Sequence, residues 1–324
     1  MRRQRPTTLF AILLTLAVLV WLAWPSQEGD PTFDARVTQP AYAAGTGPRI
    51  YFDEGHWNVH TAAGRYKPLA DLLRNDGYRI DSRTGALTRE ALSGYGVLLI
   101  ANALGFRGSA QHIANLLRLE GRLDFGADAF SNAECDAVRE WVRDGGALLL
   151  VADHAPAGAA ARKLAAQFGV EMTNWYAEDP RAHDLETDNW SFLVFSRENG
   201  LLAEHPITQG RSEAERVSKV MSFTGQSLRA PEGAVSFLRL SEEAREYPLR
   251  VSGDDEFRSA AGLEQGVALE FGRGRVVVLG EAAMITSQLA RSGGQEFRFG
   301  MSRAGCDNRQ LALNLLHWLS RPGE

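Results

Sequence analysis

The chain reads as an α/β protein: a three-layer αβα sandwich around a mainly parallel central sheet, preceded by one N-terminal transmembrane helix. Three observations predict this. From Pro48 onward short apolar runs alternate with amphipathic helical stretches. The most apolar run of the domain, "ALLLVADHAP" (147–156), shows no polar alternation and suits a strand buried on both faces. Residues 9–24 form a continuous apolar segment behind Arg2, Arg3 and Arg5.

Each element follows from its local pattern. "RIYFD" (49–53) is the first strand of the domain. The helix after it places Tyr66, Leu69, Ala70 and Leu73 at i, i+3, i+4 and i+7, which makes one apolar face. "YRIDS" (78–82) is a second strand and "GVLLIANAL" (96–104) a third. Ser131 opens a helix with Glu134 three residues on, the pattern of a capping box, and Gly145-Gly146 ends it. The helix after "ALLLVADHAP" buries Ala161, Leu164, Ala165 and Phe168 and stops at Gly169. Residues 171–262 are less regular, with acidic and aromatic loops and a strand near "AVSFLRL" (234–240). "GVALEFGRGRVVVLGEAAM" (266–284) is a hairpin turned by Gly272-Arg273-Gly274. The last helix starts after Asp307 with Leu311, Leu315 and Leu319 along one side. The expected division is an anchor and linker over 1–47, then one domain over 48–324 with an insert at about 171–262.

A helix over 9–24 spans some 24 Å at about 1.5 Å per residue, short for a bilayer but workable with thinning. The basic start stays in the cytoplasm, so the expectation is a single-pass inner-membrane protein whose soluble domain faces the periplasm. A cleaved signal peptide is the rival. Its nearest small-x-small site, Ala41-Tyr42-Ala43, lies far past the apolar run, and Trp24-Pro25 is a poor cleavage context. An uncleaved signal anchor is therefore preferred.

A net charge of -5 with no dense basic run beyond the N-terminus excludes nucleic acid as a partner. Two cysteines, Cys135 in a helical pattern and Cys306 in a Gly-rich loop, are too few for a disulfide framework or a zinc cluster.

Polar residues gather where strands end, and in open α/β sheets ligands bind beyond the carboxyl ends of the strands. The first strand leads into Asp53, Glu54, His56, Trp57, Asn58 and His60. The third leads into Asn102, the 147–151 strand into Asp153 and His154, and the hairpin's second strand into Glu281, with Asn308 opening the final helix. Asp53, Glu54, His56, Asp153, His154 and Glu281 are the catalytic candidates, since such carboxylates and imidazoles can pass protons. Asn58, Asn102, Trp57 and Asn308 are the ligand-binding candidates. His56, His60, Asp153 and His154 are candidate ligands of a divalent metal, zinc or manganese. Each has a plainer reading: Asp153 as a helix cap, Glu281 as a first-turn carboxylate, His154 as a turn histidine, His60 and Asn308 as surface residues.

The order strand-"DEGH", "GVLLIANAL", "VRDGGALLLVADHAP", "GRGRVVVLGEAAM" and "DNRQLALNLLHWLS" resembles the class I glutamine amidotransferase-like superfamily. More narrowly it is similar to a bacterial branch related to the gliding-motility and intraflagellar-transport (GIFT) domains. The resemblance covers about residues 48–320 and implies a flavodoxin-like three-layer fold. Working members of the superfamily carry a cysteine nucleophile at the sharp turn after a central strand. Here that turn is Ala152-Asp153-His154-Ala155-Pro156, so thiol-based glutamine hydrolysis is not expected.

Two function classes stand at this point. One is a hydrolase-type enzyme, with Glu281 or Asp153 as base and His56 or His154 as acid, metal-assisted or not. The other is a non-catalytic module that binds a glycan or small ligand through Trp57, Trp175, Tyr176 and Trp190, or a scaffold within an envelope complex.

Overall fold

The computed structural model describes residues 26–106, 128–248, 257–292 and 294–321. The elements that position the site are, in chain order, β1 (Ser26–Gly29), β2 (Arg49–Asp53), α1 (Lys67–Asn75), β3 (Arg79–Arg83), β4 (Val97–Ala101), α2 (Asn132–Arg143), β5 (Ala147–Val151), α3 (Ala157–Ala166), β6 (Glu264–Phe271), β7 (Gly274–Leu279) and α4 (Asn308–Ser320).

The nine-stranded sheet runs β3-β2-β4-β5-β7-β6, continues through Leu228–Arg229 and Glu171–Met172, and pairs Val235–Arg239 with β6. The first five strands are parallel, with Val97, Ala147 and Arg275 in one register row. The others join antiparallel. The sheet is thus mixed, not mainly parallel. The predicted hairpin closes with Phe271 opposite Gly274, which turns β6 back on β7, and residues 171–262 extend that reversed edge.

Alternation along the buried strands sends side chains to two cores. Ile50, Phe52, Leu99, Leu149, Val151, Val277 and Leu279 meet Leu69 and Leu73 of α1 and Leu311 and Leu315 of α4 on one face. Tyr51, Leu98, Ile100, Leu148, Leu150, Val276 and Val278 meet Val138 and Val142 of α2 and Leu164 of α3 on the other. The capping box of α2 forms as predicted, Ser131 and Glu134 each satisfying the other's backbone N–H.

The membrane expectation does not hold. Among the described residues no helix is long and apolar enough to cross a membrane. The 9–24 run lies outside the described residues, so the anchor, the inner-membrane placement and the periplasmic orientation have nothing to rest on and are withdrawn. Part of the 1–47 segment packs against the domain. β1 pairs antiparallel with Ser287–Ser292, Gly29 opposite Gln288, and Tyr42 packs edge-on against Tyr78 at 5.1 Å.

Candidate functional site

Four strand ends meet at one edge of the sheet, and their polar residues divide into two clusters. Asp53, at the end of β2, is fully buried. It accepts from the Gly55 N–H (3.1 Å), from Asn58 Nδ2 (3.1 Å) and from His56 Nδ1 (2.9 Å to each oxygen). The other ring nitrogen of His56 lies 3.0 Å from Glu134 Oε1. Glu134 Oε2 also takes the Ser131 N–H and hydroxyl (2.9 and 2.7 Å), and Oε1 the Leu87 N–H at 3.2 Å. Burial opposes a charged His56, but hydrogen bonds and charge from Asp53, then Glu134, outweigh it and raise its pKa. Burial likewise pushes Glu134 up, but the Ser131 donors, His56 and the Leu87 N–H bring it down to about 2. This cluster is an internal ion clamp tying the loop after β2 to α2. Glu54 has a bracing role: its Oε1 accepts from the Ala62 N–H and the Ser82 hydroxyl, both at 2.9 Å.

The clamp carries a prediction. A histidine raised above its usual 6.5 stabilises the fold fully below about pH 6.5 and loses that contribution as pH rises through the folded value. Thermal stability of the parent is expected to fall over that window, and His56→Phe to lack that slope while melting lower below it. Melting curves of the two proteins with the same pH dependence would contradict the clamp.

The second cluster lines a cavity of about 300 Å³. Asn102, Asp153, His154 and Glu281 meet there with His60, Arg65 and Gln288. Asn102 takes a left-handed backbone (φ 47°), which turns its amide onto Asp153. Its Oδ1 accepts the Asp153 N–H at 2.8 Å and its Nδ2 donates to Asp153 Oδ2 at 2.6 Å. The other Asp153 oxygen accepts the Ala282 N–H at 2.8 Å, which ties the end of β5 to the end of β7. Glu281 is 1% exposed and accepts the N–H groups of Ala283 and Met284, both at 2.7 Å. Burial raises the Asp153 pKa despite His154, Asn102, the Ala282 N–H and Arg65. Burial and the Asp153 charge raise Glu281 well above the usual carboxyl range. His154 donates from Nδ1 to the Ala155 carbonyl (2.9 Å) and stacks on Tyr176 with ring centroids 3.9 Å apart.

The loop before the strand Leu228–Arg229 reaches this cavity through a close backbone approach. A Cβ on Gly225 would meet the Gly280 carbonyl at 2.4 Å, so only glycine lets Phe223 and Thr224 lie over Glu281. Gln226 fixes the same crossing by donating to the carbonyls of Ala152 (2.8 Å) and Asp153 (3.0 Å).

Several expectations need correction. His56, His60, Asp153 and His154 do not form a metal centre, and among the described residues no three His, Cys, Asp or Glu side chains converge to hold an ion. His56 has both nitrogens on carboxylates of the clamp, and His60 faces Gln288. The donor set does not fit zinc or manganese. Asn308 is fully buried and structural: it bonds Met221 and Met284. Asn58 serves the clamp. Trp57 is 49% exposed and does not line the cavity. Of the other aromatics, Trp175 lies under the Arg258 guanidinium and Trp190 faces Arg245. Arg65, Thr224 and Gln288 were not predicted for the site. No strand-end signal marks them, since Arg65 precedes a helix and Gln288 lies on an antiparallel strand, Ser287–Ser292.

Neither cysteine reaches the cavity lining. Both are free; burial pushes the Cys135 thiol to about 11 and also raises Cys306. Cys135→Ser and Cys306→Ser are expected to leave any activity within about twofold, Cys135→Ser costing about 1–2 kcal/mol of stability by burying a hydroxyl. Loss of activity in a folded variant would revive a thiol route.

No protein-family model and no curated protein matches the chain. Among solved structures, the mmIFT52 N-terminal domain superposes with a TM-score of 0.56 at 15% identity, over 84% of this chain and 97% of that one. A ThuA-like protein from Bacteroides uniformis is similar at 16% identity and a TM-score of 0.44, over 90% of this chain and 95% of that one. A GMP synthase protein from Thermoplasma acidophilum is similar at 12% identity and a TM-score of 0.36, over 72% and 83%. At these identities the likeness is one of fold alone: the chain shares the α/β fold of the mmIFT52 N-terminal domain.

Proposed function

We propose that the protein is a hydrolase-type enzyme acting on a small polar substrate in the Asp153–Glu281 cavity, with no role for either thiol. The observation that carries this is the presence of two carboxyl groups, half-buried Asp153 past the end of β5 and buried Glu281 past the end of β7, in one cavity. Buried like charges cannot both ionise cheaply, so the pair retains a proton well above the ordinary carboxyl range. In this reading Asp153 takes a proton from the attacking water, and Glu281 gives its proton to the leaving oxygen or nitrogen. Water adds across the broken bond, and proton transfer from Asp153 through solvent restores Glu281. His154, held by Tyr176, carries no bond-breaking step and helps keep Asp153 ionised by its charge when protonated.

A second reading, binding without turnover, is favoured by the fact that Asp153 and Glu281 already accept hydrogen bonds on all four oxygens. A panel of esters, amides and glycosides separates the two. Hydrolysis of any member, lost in Glu281→Ala, supports the enzyme. Saturable binding with no product from any member supports the module.

A further inference from the structure

We infer that the cavity takes a neutral polyol of monosaccharide size, whose hydroxyl groups pair with His60 and Gln288. This rests on the cavity being the functional site, as proposed above, and adds the class of ligand.

Two polar atoms on residues that line the cavity lack partners. His60 is 3% exposed and Gln288 fully buried, and both line the cavity. Their Nε2 atoms lie 3.4 Å apart. His60 Nδ1 and Gln288 Oε1 are buried with no hydrogen-bond partner. An amide nitrogen only donates, so with Gln288 Nε2 toward the ring, His60 Nε2 accepts and Nδ1 carries the proton. The pair then leaves one N–H donor and one C=O acceptor unmet. Exchanging the amide oxygen and nitrogen inverts the roles: the ring donates through Nε2, Nδ1 becomes the open acceptor, and the amide N–H groups become the open donors. Either arrangement asks for a group that both donates and accepts. A hydroxyl does both.

Charge points the same way. The pair of carboxyls retaining one proton carries a single negative charge, and the Arg65 guanidinium at the same cavity offsets it. Burial and Arg65 hold the His60 pKa down at about 3, so that ring stays neutral. A neutral ligand meets no uncompensated charge, whereas a carboxylate would face Asp153. Besides His154, which is held at the Ala155 carbonyl and against the Tyr176 ring, the remaining polar side chains, Gln27, Asn102 and Thr224, are neutral. The volume of about 300 Å³ lies at the small end of ligand sites.

The test is calorimetric titration of the full chain with hexoses, pentoses and inositol, against primary amides and small carboxylates as contrasts. At least one polyol is expected to bind, and Gln288→Leu and His60→Phe each to weaken it about tenfold. A deoxy analogue lacking the paired hydroxyl should lose about tenfold on the parent protein and almost nothing further on Gln288→Leu. Should Gln288→Leu fail to fold, Gln288→Met, which keeps the length and removes both polar amide atoms, gives the same reading. Failure of every polyol to bind overturns the inference. So does polyol binding indifferent to both variants, as when a bridging water satisfies the pair, or a preference for amides or carboxylates. Turnover that depends on Glu281 with no polyol binding would remove this inference alone. Polyol binding that depends on Gln288, with no turnover at all, would instead remove the enzyme reading.

Discussion

Asn308→Ala is expected to lower the unfolding free energy by roughly 2–4 kcal/mol, the largest stability loss of any polar substitution considered. Asn308 Oδ1 accepts the Met221 N–H at 3.0 Å, and its Nδ2 donates to the carbonyls of Met221 (2.7 Å) and Met284 (2.9 Å). All of this happens at a fully buried position. Alanine removes one acceptor and two donor contacts and leaves three backbone groups without water to replace them. Asn308→Asp should be nearly as damaging, because it turns an oxygen toward two carbonyls. Met284 belongs to the short turn Ala283–Ile285 that follows Glu281, so a loosened turn would weaken ligand binding only secondarily. Urea denaturation with ligand titration checks this. Unchanged stability with ligand binding abolished would restore Asn308 to the site as a direct contact.

Asn308 also shows where sequence reasoning stops. That a polar residue opens the last helix is visible in "DNRQ"; which way its amide turns is not. The same holds along the sheet edge. The strands β2, β4, β5 and β7 are legible because fully buried strands are continuously apolar, and their ends deliver Asp53, Asn102, Asp153 and Glu281 to one edge. Whether two such residues meet depends on side-chain direction, which alternates from one position to the next. Hence Asp53 turns into the clamp with His56 while Asp153 and Glu281 line the same cavity. Glu134 was legible as a helix cap, but its long reach to His56 joins segments 78 positions apart and leaves no local trace. His60 and Gln288 are 228 positions apart. Gln288 lies in the three-stranded sheet of β1, Ser287–Ser292 and Gln295–Gly300. Its strands carry charged residues on their exposed positions, as edges do. The short strands of residues 171–262 were obscured for a related reason: at two or three residues each, no period can emerge.

Glu281→Ala and Asp153→Ala are each expected to lower kcat/KM about 10²–10⁴-fold on whatever substrate the panel yields, the usual range for losing one partner of an acid–base pair. The double variant should cost little more than the worse single one, because the two act as a unit. Asp153→Asn is not a mild alternative. Its amide nitrogen would face either the Ala282 N–H or Asn102 Nδ2, and Asn102 cannot turn over without losing the Asp153 N–H. The pH dependence identifies the acid. With Glu281 raised well above its usual 4.5 by burial and by Asp153, activity should decline as pH rises through that elevated value. Glu281→Gln should lose activity and leave no such limb in its residual rate. The same shift has a stability signature. A carboxyl whose folded pKa is raised stabilises the fold fully below about pH 4.5 and loses that contribution as pH climbs through the folded value. The parent's melting temperature relative to Glu281→Gln should therefore fall with rising pH. Two folded variants that turn over substrate like the parent, with unshifted pH profiles, would show that the carboxyl pair is only a tie between β5 and β7.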